Sequence, residues 1–217
     1  MRIPLAKYGV REVLLFGGVA LVGIVASAVW LWYLAPVFGV VLAFVLYFFR
    51  DPTRRTPDAP GILVAPADGR VVEVGQVEET EFLRTLAHKI AIFMSPLDVH
   101  VNRSPCDGRV EGVVHRPGRY HNAATPDASA VNEASTMTLA DVEGRTQILV
   151  RQVAGAVARR IVCAAAVGDR LERGGRYGMI KFGSRAEVYV PVASGFEVAV
   201  GLGQTVRAGE TVLGRFR

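Results

Sequence analysis

The chain has 217 residues, enough for one compact domain and an appendage. Its mean hydropathy of +0.30 is high for a soluble protein, and the excess is gathered between Val13 and Phe49, where no Asp, Glu, Lys or Arg occurs. The net charge of +5 suits a nucleic acid or an anionic membrane surface. No helix-turn-helix, zinc-finger or aromatic-basic pattern is present, so a membrane is expected and no nucleic acid.

The uncharged run of 37 residues, 13–49, is too long for one perpendicular membrane helix and slightly short for two. Pro36 divides it. Trp30, Trp32 and Tyr33 gather at the break and Tyr47, Phe48 and Phe49 at the far end, as aromatics do at membrane interfaces. Arg2, Lys7 and Arg11 precede the run, and Arg50, Arg54 and Arg55 follow it. Both flanks therefore prefer the cytoplasm, and residues 1–50 read as a helical hairpin that enters and leaves on one side of the cell membrane. A cleaved signal peptide fits poorly, because the apolar region is too long and no small-residue cleavage site follows.

Residues 51–60 are rich in Pro and Arg and read as a linker. From residue 61 to 217, short Val/Ile-rich runs alternate with Gly, Asp and Pro: Gly69–Gly75, Lys89–Met94, Gly108–Val114, Met137–Ala140 and Thr146–Val153. These predict a mainly β domain, with helical character only over Glu79–His88 and Ala154–Arg160. The segments Val167–Gly174 and Leu202–Gly214 share a Val/Leu-Gly-polar pattern closed by Gly. Each resembles the hairpins of lipoyl and biotinyl carrier domains, so a flattened β-sandwich is expected. Cys106 and Cys163 stand in unlike contexts with no C-x-x-C, which indicates a reducing location. No His/Cys/acidic spacing suggests a metal site.

Between the two Gly-rich segments lies Phe182-Gly183-Ser184. Gly183 leaves its carbonyl sterically open and permits a strained backbone, and Ser184 brings a hydroxyl next to that carbonyl. Alone, such a pair can be an ordinary turn. Asp68, before Gly69, can likewise be a turn residue. His100 sits in an apolar alternation and can be a satisfied core histidine, Asp98 can cap a turn after Pro96, and His88 can be solvated. Arg50, Arg54 and Arg55 read as surface residues facing phosphate, Cys163 as core and Cys106 as a loop thiol.

Several segments in order carry a resemblance. Ala65-Pro-Ala-Asp-Gly-Arg70, Ser95-Pro-Leu-Asp-Val-His100, His115–Tyr120, Val131-Asn-Glu-Ala134, Val153–Val162 and Phe182-Gly-Ser-Arg185 resemble segments of the phosphatidylserine decarboxylase family, from about residue 50 onward. Phe-Gly-Ser-Arg, in place of Leu-Gly-Ser-Thr, is similar to its compact bacterial and archaeal branch. The resemblance implies that Ser184 attacks the Gly183 carbonyl, cutting the proenzyme into a β chain (1–183) and an α chain (184–217) that remain a heterodimer, open to higher oligomerisation. Ser184 becomes a covalent pyruvoyl cofactor, which forms a Schiff base with phosphatidylserine and yields phosphatidylethanolamine and CO2 at the membrane. It also implies His100 as base for cleavage or proton donor, oriented by Asp68. Longer members carry a second His where this chain has Arg103, which leaves open whether His100 does both jobs or His115 or His121 substitutes. Two other readings compete: a carrier module acylated on Lys181, and a non-catalytic membrane scaffold.

Overall fold

The structure is a computed structural model describing residues 5–125, 127–141, 144, 146–156, 160–181 and 183–217, apart from the side chain of Trp30. It divides into two compact units, residues 1–53 and 54–217.

In the first unit, α1 (Val10–Trp30) and α2 (Ala35–Phe48) form the expected hairpin. Pro36 falls in the first turn of α2, where its missing N–H breaks no helical bond. The Phe38 ring lies on Gly23 and the Phe49 ring on Gly9, so the small residues of one arm seat the aromatics of the other. Among the described residues the stretch Lys7–Val29 is long and apolar enough to cross a membrane. At about 1.5 Å per residue α2 covers only about 21 Å, less than the hydrocarbon core. The Ala6 amide donates to the Phe49 carbonyl at 2.8 Å, so both ends of the hairpin emerge together. Arg50 donates to the Tyr47 carbonyl and lies over the Tyr47 ring.

The second unit is mainly β. Its strands are β1 (Ile62–Val64), β2 (Gly69–Glu79), β3 (Thr85–Met94), β4 (Val101–Arg103), β5 (Gly108–Arg116), β6 (Ala134–Asp141), β7 (Gln147–Val153), β8 (Arg160–Cys163), β9 (Arg170–Leu171), β10 (Arg176–Lys181), β11 (Ser184–Pro191), β12 (Phe196–Val198), β13 (Thr205–Val206) and β14 (Val212–Phe216). Among the described residues they make one curled sheet, β13-β2-β3-β11-β7-β6-β5-β9, and two small ones, β1-β14-β12 and β4-β10-β8. Ile92, Leu139, Ile148, Val188 and Leu213 are fully buried in the shared core, each contributing about 1.5–3 kcal/mol.

The order of the large sheet reads the same from either end once two halves are recognised. One half is β1–β3 with β11–β14; the other, β4–β10, is inserted into it. Their contacts correspond bond for bond. The Val64 amide donates to the Pro105 carbonyl and the Arg103 amide to the Pro66 carbonyl, both at 2.9 Å. The Asp68 carboxylate accepts from the Ala208 amide at 2.8 Å and that of Asp107 from the Arg173 amide at 2.9 Å. The ladders slip after Val71 in β2 and after Val110 in β5. The two Gly-rich segments supply β13 and β9, the opposite edges of the sheet. The sequence carries this duplication as Pro-x-Asp-Gly-Arg-Val at 66–71 and again at 105–110.

Several local expectations are corrected. Glu79–His88 is not a helix: Glu79 ends β2, and its carboxylate accepts the Phe82 and Leu83 amides of a tight turn into β3. Within Ala154–Arg160, residues 157–159 lie outside the described set, 154–156 form a loop and Arg160 opens β8. Cys106 lies in the loop between β4 and β5, as expected, but is turned into the core and only 3% exposed. The linker is docked from Arg54 onward: Arg54 pairs with Asp68 at 2.6 Å and with Glu210 at 3.4 Å, so its side chain is 7% exposed and does not face outward.

β11 is hydrogen-bonded to β3 on one edge and β7 on the other. One face sends Ala186, Val188 and Val190 into the core. The other carries Arg185, Glu187 and Tyr189 into a buried charge cluster with Glu73, Lys89 and Arg151. Burial alone would raise the Glu187 carboxyl, but Lys89 and Arg185, with hydrogen bonds from Ser129 and Tyr189, bring it below its ordinary value. A carboxyl so depressed stabilises the fold above its unfolded-state pKa, and that contribution is lost as pH falls through the folded value. Urea unfolding of the detergent-solubilised chain should therefore show stability declining below about pH 4.3. Glu187→Gln should lower stability at pH 7 by about 3–5 kcal/mol and flatten that acid limb.

Candidate active site

Ser184 is the first residue of β11 and has no exposed surface. It faces Met94 across the ladder, and its Oγ lies 3.4 Å from the Met94 sulfur. Gly183 before it has φ +61°, a left-handed conformation that glycine adopts at little cost. Phe182 lies outside the described residues.

Met94 also begins the turn that leads to His100. Pro96 and Asp98 shape this turn: the Asp98 carboxylate accepts the Ser95 amide at 2.7 Å, and the Asp98 amide donates to the Ser95 carbonyl. Asp98 thus caps the turn. His100 is fully buried, its carbonyl accepting the Ile180 amide at 3.3 Å. β10 is paired with β4, the strand that follows His100, and in sequence β10 precedes Gly183 and Ser184. Of the two connections between the halves, one carries His100 and the other the Gly183-Ser184 bond.

The imidazole is oriented by backbone. His100 Nδ1 lies 2.9 Å from the Asp98 carbonyl oxygen. A carbonyl only accepts, so Nδ1 holds the proton and Nε2 of the neutral ring keeps its lone pair. Asp68 has other partners. Its oxygens accept from Arg54 and from the Ala208 amide, and Asp107 holds the Arg173 amide identically in the half that lacks Ser184. His100 Nδ1 is thus in contact with the Asp98 carbonyl, while Asp68, in its Asp-Gly turn, holds Arg54 and the neighbouring strand edge.

The other sequence candidates separate. Arg103, in the place of a second His, is buried and donates to the Gly174 carbonyl at 2.9 Å. His115 lies 3.7 Å from the Glu133 carboxylate and is half exposed. His121 is held by backbone, its amide donating to the Asn132 side chain. His88 lies on β3, edge-on to Phe196. Lys181 is only 5% exposed within β10, unlike the hairpin-tip lysine a carrier presents to its modifying enzyme. Among the described residues no group of three or more His, Cys, Asp or Glu is placed to hold a metal ion.

Two residues entered the sequence reading only as parts of longer segments, with no role of their own. A Cβ on Gly155 would collide with the Gly183 carbonyl oxygen and lie 3.2 Å from Ala123, so glycine there lets the backbone close on that carbonyl. Asn132, fully buried, donates to the His121 and Ala154 carbonyls and ties the loops on either side of it. Beside the Asp98 turn opens a cleft of about 420 Å³ lined by Arg70, Phe93, Ser95, Asp98 and Thr205.

The histidine geometry is directly measurable. Nitrogen-15 NMR of imidazole-labelled chain at pH 8 should show His100 as the Nδ1–H tautomer. Aspartate-to-asparagine substitution at 68 should leave that tautomer in place, whereas a switch to Nε2–H would contradict the carbonyl contact.

The profile of the phosphatidylserine decarboxylase family matches residues 41–214. A phosphatidylserine decarboxylase proenzyme of Desulfotalea psychrophila is 39% identical over 99% of this chain and 97% of its own. Those of Salinibacter ruber and Nitrosomonas eutropha are 50% and 46% identical, covering 86% and 87% of this chain and 82% and 84% of theirs. A match this long, at this identity, shows that the chain belongs to the phosphatidylserine decarboxylase family of carboxy-lyases.

Proposed function

We propose that the chain is a self-cleaving proenzyme, cut between Gly183 and Ser184, that decarboxylates phosphatidylserine to phosphatidylethanolamine using a pyruvoyl group made from Ser184. The observation that supports this reading is a fully buried serine at the head of a central strand, preceded by a left-handed glycine whose carbonyl is packed on Gly155.

His100 Nε2 takes the Ser184 hydroxyl proton, and Oγ attacks the Gly183 carbonyl. The peptide C–N bond breaks as the proton is delivered to nitrogen, leaving an ester. Elimination of the Gly183 carboxylate and hydrolysis, with release of ammonia, leave a pyruvoyl end on residue 184. The site fits such a group: residue 184 heads a strand, is buried, and has the apolar Met94 beside it. When present, that group supplies the electron sink for loss of CO2. His100 then returns a proton to the product carbon. The cleft with Arg70 offers a cation toward the lipid phosphate.

The α fragment, 184–217, contains β11–β14. It is hydrogen-bonded to β3, β7, β1 and β2 of the β fragment, which supports a tightly held heterodimer. The hairpin supports attachment to the cell membrane, and the basic residues Lys7, Arg11 and Arg50 at its joined ends favour the cytoplasmic face.

Intact mass and a decarboxylation assay test this. Wild type should give two fragments split after Gly183, the smaller with a blocked N-terminus, that separate only in denaturant. Ser184→Ala should remain a single chain without activity. Gly155→Ala, by displacing the carbonyl, should slow cutting about 100-fold while the chain stays folded by circular dichroism. Uncut, folded wild type would sink the proposal.

A further inference from the structure

Cleavage would turn residue 184 from a point inside a chain into a chain end, and ends fray unless tied down. The backbone ties it weakly: Ser184 pairs with Met94 on β3, whereas the β7 ladder begins one residue later, at Arg185 and Val153. Arg185 is thus the first residue held on both edges.

Its side chain is also the best-held cation of the cluster. The guanidinium is 1% exposed and makes three kinds of contact. Nε donates to Glu187 at 2.7 Å, one terminal nitrogen to Glu73, and the other to the Thr125 carbonyl at 3.3 Å. Thr125 closes the Asn122–Thr125 turn, whose Ala123 lies beside Gly155 and the Gly183 carbonyl. Arg185 therefore joins the head of β11 to the turn that covers it. Lys89 pairs with the same two carboxylates, so two cations share Glu73 and Glu187, with Arg151 beyond them over the Tyr189 ring.

We infer, resting on the cleavage reading, that Arg185 is the positioning residue that anchors the new end of the α chain, keeping its keto carbonyl fixed in the buried site after the chain is cut. Lysine at this position retains a cation but loses the fork that grips two carboxylates and a carbonyl together.

The test compares cut wild-type enzyme with Arg185→Gln/Glu187→Gln, which removes one charge of each sign, with Glu73→Gln at the half-exposed rim, and with Arg185→Lys. Activity per cut chain is measured with phosphatidylserine in mixed micelles, and exposure of the end by its rate of capture with hydroxylamine. The double variant should lose about tenfold or more in kcat with KM unchanged, and should be captured faster. Glu73→Gln should move both readouts the same way by a smaller factor, and Arg185→Lys should recover part of kcat. Should the double variant fail to fold, Glu73→Gln decides. Cut variants with kcat and capture rate within about twofold of wild type overturn the inference alone. An uncut wild type overturns the cleavage reading and this inference with it.

Discussion

A strand paired on both edges and covered on both faces leaves no route for water to satisfy its polar groups, and β11 is such a strand. Its inward face is met by the apolar core. Its other face carries charged residues that are tolerated only because each has an opposite charge within reach. The Gly183-Ser184 dipeptide, the proposed point of cleavage, stands at the head of this strand, one residue before it is paired on both edges. Catalysis that depends on holding a hydroxyl against a carbonyl requires a support that does not relax.

The duplication explains where the Gly183-Ser184 bond is found. In the inserted half, β6 and β7 are joined directly, and Thr146 holds the place that Ser184 holds in the other half. In the outer half the corresponding hairpin has been opened to admit the whole second copy. Its two severed arms became the turn carrying His100 and the link carrying Gly183. The site belongs to the seam between the copies, and neither copy alone contains it.

Much of this was legible in the sequence. The uncharged run with Pro36 at its middle specified the helical hairpin, since charge and proline punctuate a membrane segment without help from tertiary packing. Alternating Val and Ile between Gly and Asp marked the main strands, and Gly183-Ser184 with His100 stood out by residue type and order. What escaped was set by contacts distant in sequence. Glu79–His88 has helical composition, yet the Glu79 carboxylate captures a turn. The Asp-Gly turn at Asp68 gave no sign that its two oxygens hold Arg54 and Ala208. Gly155 matters only because the chain returns 28 residues later to bring a carbonyl against it. Arg54 reads as exposed because one of its acidic partners, Glu210, lies far along the chain.

The splicing of one copy into the other also bears on how the molecule comes to be. The outer half draws β1–β3 from before the seam and β11–β14 from after it, so a break at 183–184 would divide its assembly instructions between two molecules. An unbroken chain reaches the native arrangement in a unimolecular search. The broken one, once unravelled, must find its 34-residue partner through a concentration-dependent encounter, with the central strand of the sheet missing until it arrives. Maturation would then act as a ratchet: folding precedes the break, and the finished enzyme persists through slow unfolding rather than ready renaturation.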